Sequence, residues 1–467
     1  MDRRDFLKAS ASLPLLGLAP KPACIRGRVS STRRGAGRGV AGVVVSDGRS
    51  SVATSASGEF ELVSDTGARF AFLSLPRGYD VPPRFYEPLV FDEAGEARVS
   101  FELDVAEDDG EQHRFLGFGD TQIANESDAC KLHHATADVA KLAARERFAF
   151  GVTCGDLVDD ALELFADYNA AVKKIGVPFF QVVGNHDLDA ERNAMRDTRT
   201  YERHFGPAYY SFNRGAIHYV VLNDVFWIGG GYIGFVSDEQ LSWLASDLDH
   251  VERGTPVVVF AHIPFACTVS QRTRGKFAPH EIQVTNRARV LELLEPFAAR
   301  FITAHTHENE HVFYDKVHEH VLGTVCGAWW TGPICWDGTP NGFHVFEARG
   351  EALSWHFRAT GQSPETQARL YAPGADPSRP DEWIANVWNW DPEWTVVWYE
   401  RGDRRGEMSR ARGLDPMAVS LYQGVLKPLE RGDWVEPILT DHLFYARGAN
   451  ITVEITDRFG HSTGLGL

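Results

Sequence analysis

Hydrophobic positions change rhythm twice along the chain. From Cys24 to about Ala106, short apolar runs such as "GVVVSDG", "SVATSASGEFELVS" and "FAFLSL" alternate with Gly, Ser and Asp-Gly turns. No helical period appears, so a small β-sandwich is predicted. An acidic linker, "AEDDGEQ", then leads into strands that alternate with helices. "RFLGFGD", "FAFGVTCGD", "PFFQVVGNHD", "AIHYVVLND", "PVVVFAHIP" and "FITAHTH" read as strands. Ser127 to Arg147, "LELFADYNAAVKKIG" and "SDEQLSWLASDLDHV" read as helices, the last with Ser237 and Gln240 spaced as a capping box. That alternation predicts a layered α/β domain. After "NGFHVFEARG" the helical pattern is lost, and "ALSWHFRATG", "WTVVWYERG" and "NITVEITDRFG" read as strands of a second β-rich unit. The expected division is a leader over 1–23, a β-sandwich over 24–110, the α/β domain over 111–346 and the β-rich domain over 347–467.

The leader carries an address. "RRDFLK" (Arg3 to Lys8) precedes a mild apolar stretch too short to span a membrane. It resembles a twin-arginine export signal and predicts a periplasmic or secreted protein. Cys24 is a candidate lipid-anchored cysteine, although the position three places before it is Lys21, not an apolar residue.

Composition narrows the classes. At 467 residues the chain is too long for one core, and its 43% apolar and 24% charged content is ordinary for a globular protein. A net charge of −17 argues against binding a nucleic-acid polymer or an anionic membrane, so membrane contact is expected only during export. Six cysteines without a C-x-x-C pair argue against zinc fingers and thioredoxin chemistry. Cys326 and Cys335 are close enough in sequence to pair, but the set reads as scattered small hydrophobes. "GRGVAG" (Gly37 to Gly42) matches a dinucleotide fingerprint only formally, because an Arg-rich turn precedes it and Val43-Val44-Val45 follow. There is neither a phosphate-binding G-x-x-x-x-G-K-[ST] loop nor a G-x-S-x-G elbow.

Five polar clusters fall at strand ends of the α/β domain: Asp120 and Gln122 in "GDTQ", Asp156 and Asp159 in "GDLVD", Asn185, His186 and Asp187 in "GNHD", His262 in "AHIP", and His305 with His307 in "AHTH". Carboxylates, amide oxygen and imidazoles without a thiolate make a nitrogen–oxygen metal site. The donors exceed what one ion needs. One carboxylate can bridge two ions, the arrangement used for in-line displacement at phosphorus.

The order Asp-x-Gln, Gly-Asp-x-x-Asp, Gly-Asn-His-Asp, His, His-x-His resembles the calcineurin-like metallophosphoesterase superfamily over about half the chain. The flanking β domains and "WDGTPNGF" (Trp336 to Phe343) resemble exported bacterial members with extra terminal modules. The resemblance implies a metallophosphoesterase-like β-sandwich core flanked by helices, with an N-terminal β-sandwich and a C-terminal β-rich domain. It implies that Asp120 and His307 bind a first metal, with Gln122 where the family commonly has His. Asp156 would bridge, and Asn185, His262 and His305 would bind the second metal. His186 would protonate the leaving oxygen or stabilise the developing charge, oriented by Asp187, while Asp159 would hold its loop. Two divalent ions are implied; Gln122 favours Mn²⁺, with Fe, Zn or Mg as alternatives. A bridging hydroxide would attack a small phosphorylated substrate, of phosphodiester or nucleotide type. The alternative is a non-catalytic surface or carbohydrate-binding protein on the same scaffold. Trp329, Trp330 and Trp336 are candidate pocket walls. His133, His134 and "ENEH" (Glu308 to His311) read as a solvated helix face and a solvated turn.

Overall fold

The computed structural model describes residues 21–31, 37–82, 84–189, 197–273, 275–327, 329, 332–424 and 434–466. The export motif at Arg3 to Lys8 and Trp330 lie outside the described residues. Among the described residues no helix is long and apolar enough to cross a membrane.

The centre of the molecule is two facing sheets. In chain order its elements are β1 (Gln112–Phe118), α1 (Glu126–Ala143), β2 (Phe150–Thr153), α2 (Phe165–Lys173), β3 (Phe179–Gln181), β4 (Tyr210–Arg214), β5 (Ile217–Val221), α3 (Asp238–Leu248), β6 (Pro256–Phe260), β7 (Ala298–Thr303), β8 (Glu310–Tyr314), β9 (Val317–Val321), β10 (Gly342–Arg349) and β11 (Ala352–Ala359). The first sheet runs β3-β2-β1-β10-β11 and the second β4-β5-β6-β7-β9-β8. β1, β2 and β3 are mutually parallel, as are β5, β6, β7 and β9; β4 and β8 are antiparallel at the two edges of the second sheet, and β10 and β11 extend the first, each antiparallel to the strand before it. Strands such as "PVVVF" are apolar at every position because both of their faces are covered. Between the sheets Phe115 stacks on Phe150 and on Phe346, each at 4.8 Å, and meets Phe260 edge to face.

On one side lie two four-stranded sheets. One holds Pro22–Ser31, Arg38–Gly39, Glu59–Asp65 and Glu96–Leu103; the other Val44–Ser46, Ser51–Ala53, Phe70–Ser74 and Tyr86–Pro88. Their apolar residues join the central core, and Ser51 bonds Ser246 on α3. On the other side, two further four-stranded sheets enclose Trp383, Val396, Phe444 and Val453. The mixed α/β class with β-rich units on both sides is therefore the observed architecture.

Several readings need correction. The division at 346 cuts β10, and "ALSWHFRATG" is not part of the C-terminal sheets. As β11 it pairs with β10 across eight residues and extends the first sheet. Its alternating burial looks the same in either unit, so only the pairing decides. The strand expected over "PFFQVVGNHD" is short, because the chain leaves the sheet at Val182 to reach the site. α1 is capped by Asn125, whose side chain accepts from the Asp128 amide. The Ser237 cap accepts from the Gln240 amide as expected, but the Gln240 side chain bonds both backbone groups of Asn223 instead of closing a box. None of the six cysteines is disulfide-bonded; Cys326 donates to the Asp120 carbonyl and does not pair with Cys335.

Candidate metal centre

The parallel strands of both sheets end along one rim, and each delivers donors there. Asp120 follows β1, Asp156 follows β2, Asn185 and His186 follow β3, His262 follows β6, and His305 and His307 follow β7. Asp120, Gln122, Asp156, His305 and His307 all have positive φ, between 24° and 68°. Such backbone is costly for non-glycine residues and collects where side chains must be aimed. Two glycines explain the crowding. A Cβ on Gly184 would meet the Asp156 amide at 2.0 Å, and one on Gly155 would meet His262 Nδ1 at 2.4 Å. The motif glycines therefore let the three loops touch.

The donors converge. Asp156, His262 and His305 offer ligand atoms within 4.8 Å of one another. His262 Nε2 lies 3.1 Å from Asn185 Oδ1, 3.4 Å from Asp156 Oδ1 and 3.0 Å from His305 Nδ1. The outer nitrogens are spoken for. His262 Nδ1 donates to the Cys154 carbonyl at 2.8 Å, and His305 Nε2 donates to the Glu281 carbonyl at 2.9 Å. Each backbone oxygen fixes a tautomer and turns the other nitrogen inward, as ligating histidines require. On the other side His307 Nε2 lies 3.4 Å from Asp120 Oδ1. That oxygen is fully buried and has no hydrogen-bond partner. A buried carboxylate oxygen without a hydrogen-bond partner, facing an imidazole, suits a cation ligand pair. Gln122 turns its amide nitrogen toward Asp156 Oδ2 at 3.4 Å. The seven expected ligand positions thus gather at one place, and the donor set fits two divalent ions.

Burial opposes a charged His262, but Asp156 raises it to about 10, so the acid draws a positive charge to the place where a metal ion would sit. Burial works against an ionised Asp156, yet His262 and His186 hold its carboxyl well below the usual range. Burial and the neighbouring His262 push His305 down to about 3, so its inward nitrogen is unprotonated. Burial also opposes a charged His186, but Asp156, Asp160 and Asp159 raise it to about 9.

The orienting acid is not the one expected. Asp187 does not touch His186. Its buried carboxylate accepts from the amides of Leu157, Val158 and Gly184, at 2.9 to 3.1 Å, and so clamps the Asp156 loop to the Asn185 loop. Position 187 lies beneath the loop while His186 points out of it, so adjacency in sequence puts the two side chains on opposite sides. The groups that hold His186 are Asp159 and Asp160, each 3.1 Å from Nδ1. Sequence reasoning missed Asp160, whose signal was a second acid in "GDLVDD". It also missed Asp224, which accepts from the His262 and Ile263 amides, and Tyr232, whose hydroxyl reaches His305.

The centre opens into a cleft of about 470 Å³. The expected ligands Gln122, Asp156, Asn185, His305 and His307 line it with His186, and Tyr232, Phe277, Trp329, Trp336 and Trp434 add aromatic wall beside them. Trp329 stacks on His307 at 4.2 Å and meets Trp336 and Trp434 at 5.6 and 4.4 Å. Trp434 comes from the C-terminal region and is 53% exposed.

No curated protein matches the chain. Solved structures similar to it include a dimetal phosphatase from Danio rerio (17% identity, 53% of this chain and 99% of that one, TM-score 0.35). They also include the purple acid phosphatase PPD1 of yellow lupin (13%, 73% and 68%, TM-score 0.42) and GAP50 of Plasmodium (13%, 54% and 85%, TM-score 0.38). Three family models match in succession: the N-terminal region of calcineurin-like phosphoesterase over 24–106, calcineurin-like phosphoesterase itself over 113–309, and its C-terminal region over 319–462. The middle match spans all five ligand clusters, and the chain belongs to the calcineurin-like metallophosphoesterases, phosphoester hydrolases built around two divalent metal ions.

Proposed function

We propose that the chain is an exported phosphodiesterase for small molecules whose phosphoester carries an aromatic or apolar arm, nucleotide-type esters among them. The observation that carries this reading is the tryptophan wall beside His307. Flat rings next to a phosphoester site suit stacking by an aromatic group on the ester. Among the described residues of the cleft none is Lys or Arg, which suits the single charge of a diester better than the double charge of a monoester.

Divalent ions bound here supply an activated water and positive charge for the phosphoryl oxygens. The chain's own part is to hold and aim. Asp120, Gln122 and His307 would hold one ion, and Asn185, His262 and His305 the other, with Asp156 between them. His186, fixed through Nδ1 by two carboxylates, keeps Nε2 for the leaving oxygen and gives it a proton. An amide at position 122 favours Mn²⁺ over zinc. Export in folded form rests on the Arg3–Lys8 motif; changing both arginines to lysine would leave the precursor in the cytoplasm by cell fractionation.

The test is turnover of Mn²⁺-loaded protein on bis-p-nitrophenyl phosphate and p-nitrophenyl phosphate. The diester is expected to have the higher kcat/KM, and Trp434→Ala to raise its KM. A faster monoester overturns the diester assignment. No turnover of either by protein holding two ions overturns the hydrolase.

A further inference from the structure

A second group of buried imidazoles lies in the same sandwich, outside the cleft. β8 and β9 pair with His311 opposite His320 and Phe313 opposite His318. Alternation along β9 puts His318 and His320 on one face, while Glu319 turns to the other and accepts from the Phe265 and Ala266 amides. Ring centroids are 4.1 Å apart for His318 and His320, 4.9 Å for His311 and His320, and 5.2 Å for His311 and His318. The ligand nitrogens of all three fall within 4.8 Å of one another.

Their hydrogen bonds are incomplete in an informative way. His311 Nε2 donates to Asn389 Oδ1 at 2.9 Å, and His344 Nε2 donates to the same oxygen at 3.0 Å. His311 Nδ1 is therefore an acceptor, and His318 Nε2 donates to it at 3.0 Å, so the unmet nitrogens of the group are those of His320. His320 is 1% exposed, and neither of its ring nitrogens has a hydrogen-bond partner. A neutral imidazole carries one donor and one acceptor, and native interiors rarely leave both unmet.

We propose that His311, His318 and His320 form a third metal site, separate from the dinuclear centre, that takes a transition ion of the zinc class. Two nitrogens on a tetrahedral zinc at about 2.0–2.1 Å stand roughly 3.3 Å apart, close to the spacing of His311 and His318. Three imidazoles without a carboxylate select against Mn²⁺, Mg²⁺ and Ca²⁺. Asn389 holds the outer N–H of His311 as the Cys154 and Glu281 carbonyls hold His262 and His305. Two guanidinium groups lie near, but each is engaged: Arg458 bonds Asp391 through two nitrogens at 2.8 and 2.9 Å, and Arg300 donates to the Leu353 carbonyl. The ion is structural. It fastens the hairpin that follows the last cleft ligands, and Asn389 couples it to the C-terminal region.

Crystals of the full-length protein soaked in zinc chloride, measured on both sides of the zinc absorption edge, test this directly. The expected map has an anomalous peak bonded to the three histidines besides those at the dinuclear centre. Peaks at the dinuclear centre with none among His311, His318 and His320 overturn the proposal. In solution, His320→Leu should hold one zinc ion fewer per chain while keeping turnover within about twofold of wild type. A folded His320→Leu protein with undiminished zinc overturns it as well. If that variant misfolds, the wild-type map decides alone.

Discussion

The two histidine groups use the same side chain in opposite settings. His262, His305 and His307 stand just past strand ends, in loops that approach one another across glycines, with Asp120 and Asp156 among them. His311, His318 and His320 sit inside regularly paired strands, with no carboxylate in their cluster. A loop residue can be held at positive φ and aimed; a strand residue points where the two-residue repeat sends it. Loops can therefore draw donors from both sheets to one point and include acids that offset part of the charge of two dications. On the histidine face the strand pair offers neutral ligands only, and few of them. The first arrangement suits chemistry on an anion, the second a fixed ion that never meets substrate.

The contrast is broken most severely at Asp156. Asp156→Asn removes the only carboxylate placed between the two proposed ions, so turnover should fall by roughly 10³-fold or more, or about 4 kcal/mol. Elemental analysis should show metal lost from the dinuclear centre, and zinc at His311, His318 and His320 unchanged. Next comes His186→Ala. It should keep its metals and lose on the order of 10²–10³ in kcat on alkyl phosphoesters, but less on p-nitrophenyl esters, whose leaving group needs no proton. Equal losses on both substrates would assign His186 to positioning. Asp187→Ala sharpens the distinction between aiming and clamping. It frees three backbone amides, so denaturant unfolding should report a loss of about 2–3 kcal/mol. Its activity should drop roughly 10–100-fold with no dependence on the leaving group.

The smallest effect is a control distant from both centres. Burial pushes His113 down to about 4, despite its bond to the Gly110 carbonyl. In the unfolded chain it titrates near its ordinary value of about 6.5. The unfolded state therefore takes up the proton first as pH falls, and stability declines from about pH 6.5 toward pH 4, by at most about 1.4 kcal/mol per unit. His113→Phe should flatten that part of the curve in urea melts.

The cleft was legible because each of its clusters breaks an apolar run. "FQVVGNHD" and "FITAHTH" announce a strand and then place a donor where a strand has no use for one. The role of Asp187 was not legible, because sequence adjacency says nothing of which side of a tight loop a side chain takes. "ENEH" misled for a related reason. Its polarity suggests solvent, yet Glu308 is buried in an ion pair with Arg272, and His311 lies in β8 against Asn389. Groups satisfied by a partner far along the chain look exposed when read locally. The same blindness to distant partners put β11 in the wrong unit, while the alternation that revealed its strand character was read correctly.

The position of β1 carries a consequence for how the enzyme is made. One edge is covered by β2, but the other waits for β10, which is synthesised roughly 220 residues later. Until then the nascent chain presents an unpaired apolar edge beside the strand that leads to Asp120. The ribosome has by then released every ligand cluster, but the sheet that spaces them is half built. The delay makes this edge the point where a stalled or overexpressed chain would begin to aggregate.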